Sequence, residues 1–228
     1  MTAALSLIQY WDQADPPKVI AERMQQWRQQ HRGWRYQRFN RQTAAAFVRE
    51  HYGLALEQAF LDIRLPAMQA DVLRIAVLLA LGGLWIDAAT NCFSPVEAWI
   101  ELQAPLLLLR QPHQAHPKVC TGVIYAQAPQ HPLINAAWQL MAPALLARSG
   151  EKVYRSFGPG VLRDLLASGA WDHTLIVRPV GELSAHLRFG SSSSVLPAER
   201  HWSQRQQSES LYLSGGSPSA SHCRKEAS

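Results

Sequence analysis

Residues 69–92 read QADVLRIAVLLALGGLWIDAATNC, an almost unbroken apolar stretch that nevertheless carries Asp71, Arg74 and Asp87. An isolated charge in such surroundings is very costly, so each must be paired, hydrated or bound to something. The run from Ile75 to Ile86 is too short for a membrane span and contains Gly82 and Gly83. It predicts a helix over Pro66–Leu81, with proline in its first turn and Gly82 in the left-handed position that ends it. LWIDA then forms a short strand.

Asp71 and Arg74 lie three apart on one helical face, which fits an intrahelical ion pair. On a surface such a pair contributes only about 0.3 kcal/mol and needs no further purpose. Beyond Arg74, however, the helix is apolar all round and therefore buried on every side. The pair then sits at the one polar end, where a cleft would open. Asp87 ends its strand where parallel α/β sheets place ligand-binding groups. Its other reading is a cap on the following AATN turn.

The rest of the chain alternates between strands and helices, so an α/β fold with a mostly parallel central sheet flanked by helices is expected. Strands are expected at 4–11, 34–39, 105–110, 119–126 and in TLIVRPV, with DQADPPK as a turn. Helices are expected at Val19–Gln30, after a Thr43 cap, at Leu54–Leu61, from HPLIN to about Ala147, and in VLRDLLAS. One domain over 1–213 is expected, followed by a small, polar, disordered tail at 214–228.

Composition narrows the class. A 47% hydrophobic and 17% charged chain of 228 residues is globular, and its net charge of +5 comes mostly from Arg. Arg favours bidentate contact with phosphate or carboxylate. Its scatter along the chain argues against a nucleic-acid surface. Cys92, Cys120 and Cys223 show no paired spacing, which fits a reducing compartment and no zinc site; Cys92 and Cys120 read as small buried apolar residues. His113, His116, His131 and His201 lack metal-site spacing and read as solvent-facing loop residues. No secretory signal is visible, so a cytoplasmic protein is expected, at most peripheral to the inner face of the membrane.

DVLRIAVLLALGGLWIDAATNC resembles the core signature of glycosyltransferase family 32 and the capsular polysaccharide synthesis proteins. The pattern is Asp-x-x-Arg on a helix, then Gly-Gly, an apolar and aromatic pair, and Asp. QYW at the first strand tip, GVIYAQAPQHPLI and FGPGVL extend the resemblance over roughly residues 5–165. It implies a GT-A fold and transfer of a hexose from a nucleotide sugar to a glycan or lipid-linked acceptor in polysaccharide synthesis. Asp87 matches the first carboxylate of the family's Asp-x-Asp, which helps hold manganese or magnesium on the donor diphosphate. Asp71 and Arg74 match the pair that grips the donor sugar. Gln9, Tyr10 and Trp11 match the strand tip beside the nucleobase, and Gly82, Gly83, Ala88 and Ala89 complete the signature.

This sequence departs from that pattern at Ala89, which stands where the second metal-binding aspartate is expected and offers no ligand oxygen. Asp-Ala-Ala-Thr resembles the Asp-Ala-Thr of the capsular branch; Thr90 or Asn91 offers a neutral oxygen, or else the diphosphate and waters complete the shell. Metal use is open at this point. So is a degenerate relative that binds the donor without turning it over. Family members also close a C-terminal group over the diphosphate; His201, Trp202 and Ser203 are the candidates, the alternative being a surface turn.

Overall fold

The computed structural model describes residues 5–111, 118–150, 152–190, 205 and 207–214. In chain order its first elements are β1 (Ser6–Tyr10), α1 (Lys18–Gln30), β2 (Arg35–Phe39), α2 (Arg41–Tyr52), α3 (Leu54–Asp62), α4 (Pro66–Leu81) and β3 (Gly83–Ile86). A short β4 (Asn91–Cys92) leads to β5 (Leu106–Arg110), β6 (Val119–Ala126) and α5 (Pro132–Leu146). The chain then forms α6 (Val153–Ser156), α7 (Pro159–Leu166), β7 (Ile176–Pro179) and β8 (Leu187–Arg188).

Six strands form one sheet in the order β2-β1-β3-β6-β5-β7. β1 runs parallel to both β2 and β3, and β5 runs parallel to β7. β6 is antiparallel to its neighbours β3 and β5, so the mostly parallel sheet is a mixed one. β4 and β8 make a separate antiparallel pair.

Strand alternation divides the apolar residues between two cores. Ile8, Trp85, Leu108 and Ile124 face a large core built with α2, α3, α4, α5 and α7. Leu7, Leu84, Ile86, Leu107 and Tyr125 face a smaller core that includes Trp27 of α1. Helix α4 lies in the large core and is buried at ten positions, Arg74 among them. Gly82 ends it at φ 65°, and its Cα hydrogen faces the backbone of Ala128: a Cβ there would lie 2.7 Å from that carbonyl carbon. Only glycine lets α4 turn into β3 this tightly.

Three expectations need correction. Asn40, not Thr43, is the N-cap of α2: its side chain accepts from the Thr43 amide, and the Thr43 hydroxyl accepts from the Asn40 amide. That reciprocal pair is a capping box, with threonine at the third helical position. His131 is buried rather than solvent-facing; it caps α5 by accepting from the Leu133 amide, and its other ring nitrogen donates to the Thr174 carbonyl at 2.9 Å. Burial lowers its pKa accordingly. Cys120 is half-buried, while Cys92 is buried as expected. His113, His116, His201 and Cys223 lie outside the described residues.

The end of the described chain folds back on α3. Leu213 donates to the Asp62 carbonyl at 2.8 Å, the Arg64 amide donates to Leu211 at 2.9 Å, and Leu211 and Tyr212 enter the large core. Ser214 donates its amide to the Asp62 carboxylate at 2.9 Å. The rest of the expected tail, residues 215–228, lies outside the described residues. Among the described residues no helix is long and apolar enough to cross a membrane.

Candidate functional site

Parallel β1 and β3 both end at the same sheet edge, where strand chemistry gives way to loops. Asp87 follows β3 there. Its amide donates to the Gly122 carbonyl of β6 at 2.9 Å, and its own carbonyl accepts from Thr90, closing the turn. The turn is therefore held by backbone, and the Asp87 side chain is left for another purpose.

That side chain meets α4. Arg74 Nη2 donates to Asp87 Oδ1 at 2.9 Å, and Trp85 Nε1 donates to the same oxygen at 2.8 Å. Arg74 Nη1 donates to Asp71 Oδ1 one turn earlier on α4. The guanidinium also lies over the Trp85 ring, 5.0 Å from its centroid. The three side chains grade from inside to outside: Arg74 is 5% exposed, Asp71 13% and Asp87 43%.

Burial alone would pull Arg74 down, but Asp87 and then Asp71 outweigh it and raise its pKa, so the guanidinium stays charged. Asp71 responds differently. Desolvation lifts its carboxyl to about 6 although Arg74 pulls the other way. Asp71 is thus the member of the pair that titrates.

These groups floor a cleft of about 670 Å³. Its lining includes Tyr10 and Trp11 from the end of β1, Ala88, Ala89 and Thr90 from the turn after β3, and Tyr154 and Pro159 from α6 and α7. Four buried polar atoms of these lining residues have no hydrogen-bond partner among the described residues: Trp11 Nε1, Arg74 Nε, Thr90 Oγ1 and the Tyr154 hydroxyl. Buried polar groups are normally satisfied, so four orphans around one cleft mark where a polar ligand would complete them. Asp71 Oδ2 and Asp87 Oδ2 are likewise without a hydrogen bond among the described residues.

Glycines open the floor. A Cβ at Gly122 would lie 2.7 Å from Phe189 and 3.1 Å from Asp87 Oδ2, and one at Gly158 would lie 3.0 Å from Asp71 Oδ2. Both carboxylates are approached by bare backbone, which leaves space for neighbouring groups.

Residues absent from the sequence expectations also line the cleft: Asp12, Thr121, Tyr154, Phe189, Arg205 and Glu209. Burial raises the Asp12 pKa. Arg205 and Glu209 form a bidentate pair, both bonds 2.8 Å, on the segment tied to α3. Their i, i+4 spacing was the available sequence signal for that pair. Asp12 had none, because it sits in what reads as an ordinary turn.

Several expected residues lie elsewhere. Gln9 is fully buried on the opposite face of β1 from Tyr10, where Tyr36 donates to it at 3.0 Å; it does not line the cleft. Alternation along a strand forbids Gln9 and Tyr10 from sharing one face. Gly82 and Gly83 pack against the backbone of Ala128 and Ser6, outside the cleft lining. His201, Trp202 and Ser203 lie outside the described residues.

Among the described residues, the protein oxygens near Asp87 do not by themselves complete a ligand set for manganese or magnesium; Asp87 Oδ2 is the one carboxylate oxygen left beside the turn. One carboxylate oxygen is occupied by Arg74 and Trp85, and Ala89 adds only a carbonyl, which accepts from Arg23 at 2.9 Å. The Thr90 carbonyl accepts from Trp27 Nε1, also at 2.9 Å. Among the described residues no three His, Cys, Asp or Glu side chains come together as a metal group. Such ions require several oxygen ligands.

Residues 7–143 match the family of capsular polysaccharide synthesis proteins. The chain belongs to that family. The match contains β1 from Leu7 onward, Asp71, Arg74 and Asp87, and it ends before Tyr154, Arg205 and Glu209. The chain is also 26% identical over 167 residues to the initiation-specific alpha-1,6-mannosyltransferase of Schizosaccharomyces pombe, a match covering 61% of this chain and 42% of that protein. It therefore spans less than half of that relative's length. Among solved structures it resembles the PaToxG glycosyltransferase, with a TM-score of 0.57 and 14% identity over 89% of this chain and 77% of the other. At that identity the likeness concerns the fold, which is GT-A-like.

Proposed function

We propose that the chain transfers a hexose from a nucleotide-sugar donor to a hydroxyl of a glycan or lipid-linked acceptor in cell-surface polysaccharide synthesis. The observation that carries this reading is the Asp71–Arg74–Asp87 constellation, joined through one buried guanidinium at the floor of a cleft rich in unpaired polar atoms. Arg74 occupies one oxygen of each carboxylate. The second oxygens, acceptors only, suit the hydroxyls of a sugar. Arg74 Nε and Trp11 Nε1 are fixed donors for the anionic part of the same ligand. Donors set in place before reaction stabilise charge that develops on a departing diphosphate without reorganising. Trp11, half-buried at the tip of β1, offers a face on which a base can stack, while Tyr10 beside it is buried.

Membership of the capsular polysaccharide synthesis family and the GT-A-like fold support the reaction class. The test is release of nucleoside diphosphate across a panel of nucleotide sugars, with and without saccharide acceptors. One donor should give acceptor-stimulated release that is lost in Asp87→Asn. Ala89 favours a second reading, a relative that holds the donor without turning it over. Saturable binding of a nucleotide sugar, with no release under any acceptor, would decide for it.

A further inference from the structure

Tyr154 stands on α6, beyond the residues that match the family, and it lines the cleft. Its hydroxyl is buried and has no hydrogen-bond partner among the described residues. A hydroxyl taken out of water without a partner costs free energy, so a ligand that arrives after folding accounts for its place.

Two glycines show where Tyr154 lies. The Cβ position of Gly158 is 3.0 Å from Asp71 Oδ2 and 3.1 Å from the Tyr154 Cα, so the free oxygen of Asp71 and the backbone of Tyr154 border the same point. The Cβ position of Gly160 is 2.6 Å from the Tyr154 carbonyl oxygen and 3.2 Å from its Cδ1, so the ring packs along bare backbone at the start of α7. The Arg163 guanidinium lies over that ring, 5.7 Å from its centroid. Val153 and Phe157, on either side in the chain, are buried in the large core. The phenol is thus set in place beside the carboxylate that the proposed function gives to the sugar.

The two groups complement each other. An ionised Asp71 oxygen only accepts, whereas a tyrosine hydroxyl donates as well as accepts. Neighbouring hydroxyls of a hexose ring do both, so a carboxylate and a phenol side by side suit two of them.

Given the donor-binding reading, we infer that Tyr154 is a specificity residue of the donor-sugar subsite, its hydroxyl bonding the sugar hydroxyl next to the one held by Asp71. The nucleoside diphosphate does not use it.

Calorimetric titration of the full chain with UDP-glucose, UDP-galactose and GDP-mannose, each beside its bare nucleoside diphosphate, tests this. One nucleotide sugar should bind. Tyr154→Phe should weaken it about threefold to tenfold, the range of one lost hydrogen bond, and leave its nucleoside diphosphate unchanged. Monodeoxy analogues of that nucleotide sugar locate the partner. Loss of one sugar hydroxyl should cost the parent protein as much, and Tyr154→Phe should bind that analogue as the parent does. The two proteins should melt alike, since no native hydrogen bond is removed. Equal weakening of nucleotide sugar and nucleoside diphosphate, no weakening of either, or a lowered melting point overturns the role of Tyr154 and leaves the donor-binding reading standing. Binding of UDP or GDP with all three nucleotide sugars excluded overturns the sugar subsite. Failure of every nucleotide sugar and of both diphosphates to bind overturns the donor-binding reading as well.

Discussion

Arg74 and Asp87, thirteen residues apart in sequence, meet through a 2.9 Å hydrogen bond that joins the middle of α4 to the end of β3. The same guanidinium holds Asp71. Removing it leaves the buried Asp71 carboxylate without its counter-charge, beside the half-exposed Asp87. Arg74→Met, close in volume, should cost about 3–5 kcal/mol. A melting point lower by roughly ten degrees is the expected readout for a chain of this size. Adding Asp71→Asn to Arg74→Met should recover part of that loss, because the two residues share one interaction.

Asp87→Asn keeps an oxygen that can accept from Arg74 and Trp85, so the melting point should change little. The amide that replaces the free oxygen donates instead of accepting. Transfer should fall about a hundredfold or more, the scale of losing orientation and preorganised electrostatics at a reacting centre. Turnover and thermal melting measured on the same sample separate the two effects.

Asp71 gives the cleft a pH dependence. Burial holds its carboxyl at about 6, above its ordinary value of 3.8. Only the ionised form is a pure acceptor for sugar hydroxyls, so donor affinity should rise with pH through about 6 and then level. Stability should run the opposite way. Between about pH 4 and pH 6 the folded state keeps a proton that the unfolded chain has released, so stability declines as pH rises across that window. Asp71→Asn should abolish both trends, as seen by titrating donor and by denaturant unfolding across pH.

Trp11 offers a cleaner separation of binding from folding. Its indole N–H, on a residue lining the cleft, is buried and has no partner among the described residues. Trp11→Phe removes no native hydrogen bond, so stability should stay within about 1 kcal/mol. Donor affinity should weaken about threefold to tenfold, the range of one lost hydrogen bond. Calorimetry on the donor and urea unfolding are the paired measurements.

Gly82 is purely architectural. With φ at 65° and the Ala128 backbone 2.7 Å from any Cβ, Gly82→Ala combines conformational strain with a clash. It should destabilise by about 2 kcal/mol or more, through the α4–β3 turn rather than through the cleft. A proportionate fall in urea midpoint, with donor affinity unchanged in the folded fraction, is the expected result.

Much of this was legible because the informative residues are local. Pro66 and Gly82 punctuate α4, and the structure starts and ends that helix where those residues predict. The convergence of Asp71, Arg74 and Asp87 follows from one helix turning directly into one strand, so short-range spacing was enough. Gln9 and Tyr10 read alike at a strand tip, but alternation sends them to opposite faces, and Gln9 turns to Tyr36. The antiparallel placement of β6 between β3 and β5 depends on long-range pairing that no local pattern encodes. The same holds for Arg205 and Glu209, which line the cleft near Leu211 and Tyr212, both packed into the large core. His131 reads as a loop histidine beside a proline, and only tertiary packing turns it into a buried cap.

The most direct test of the central claim is a crystal structure of the chain with the intact nucleotide sugar that scores in the release screen. The account predicts sugar hydroxyls within hydrogen-bonding distance of Asp71 and Asp87, with the Arg74 guanidinium still bridging the two carboxylates. Sugar density seated away from both aspartates, or a cleft left empty at saturating donor, would contradict it.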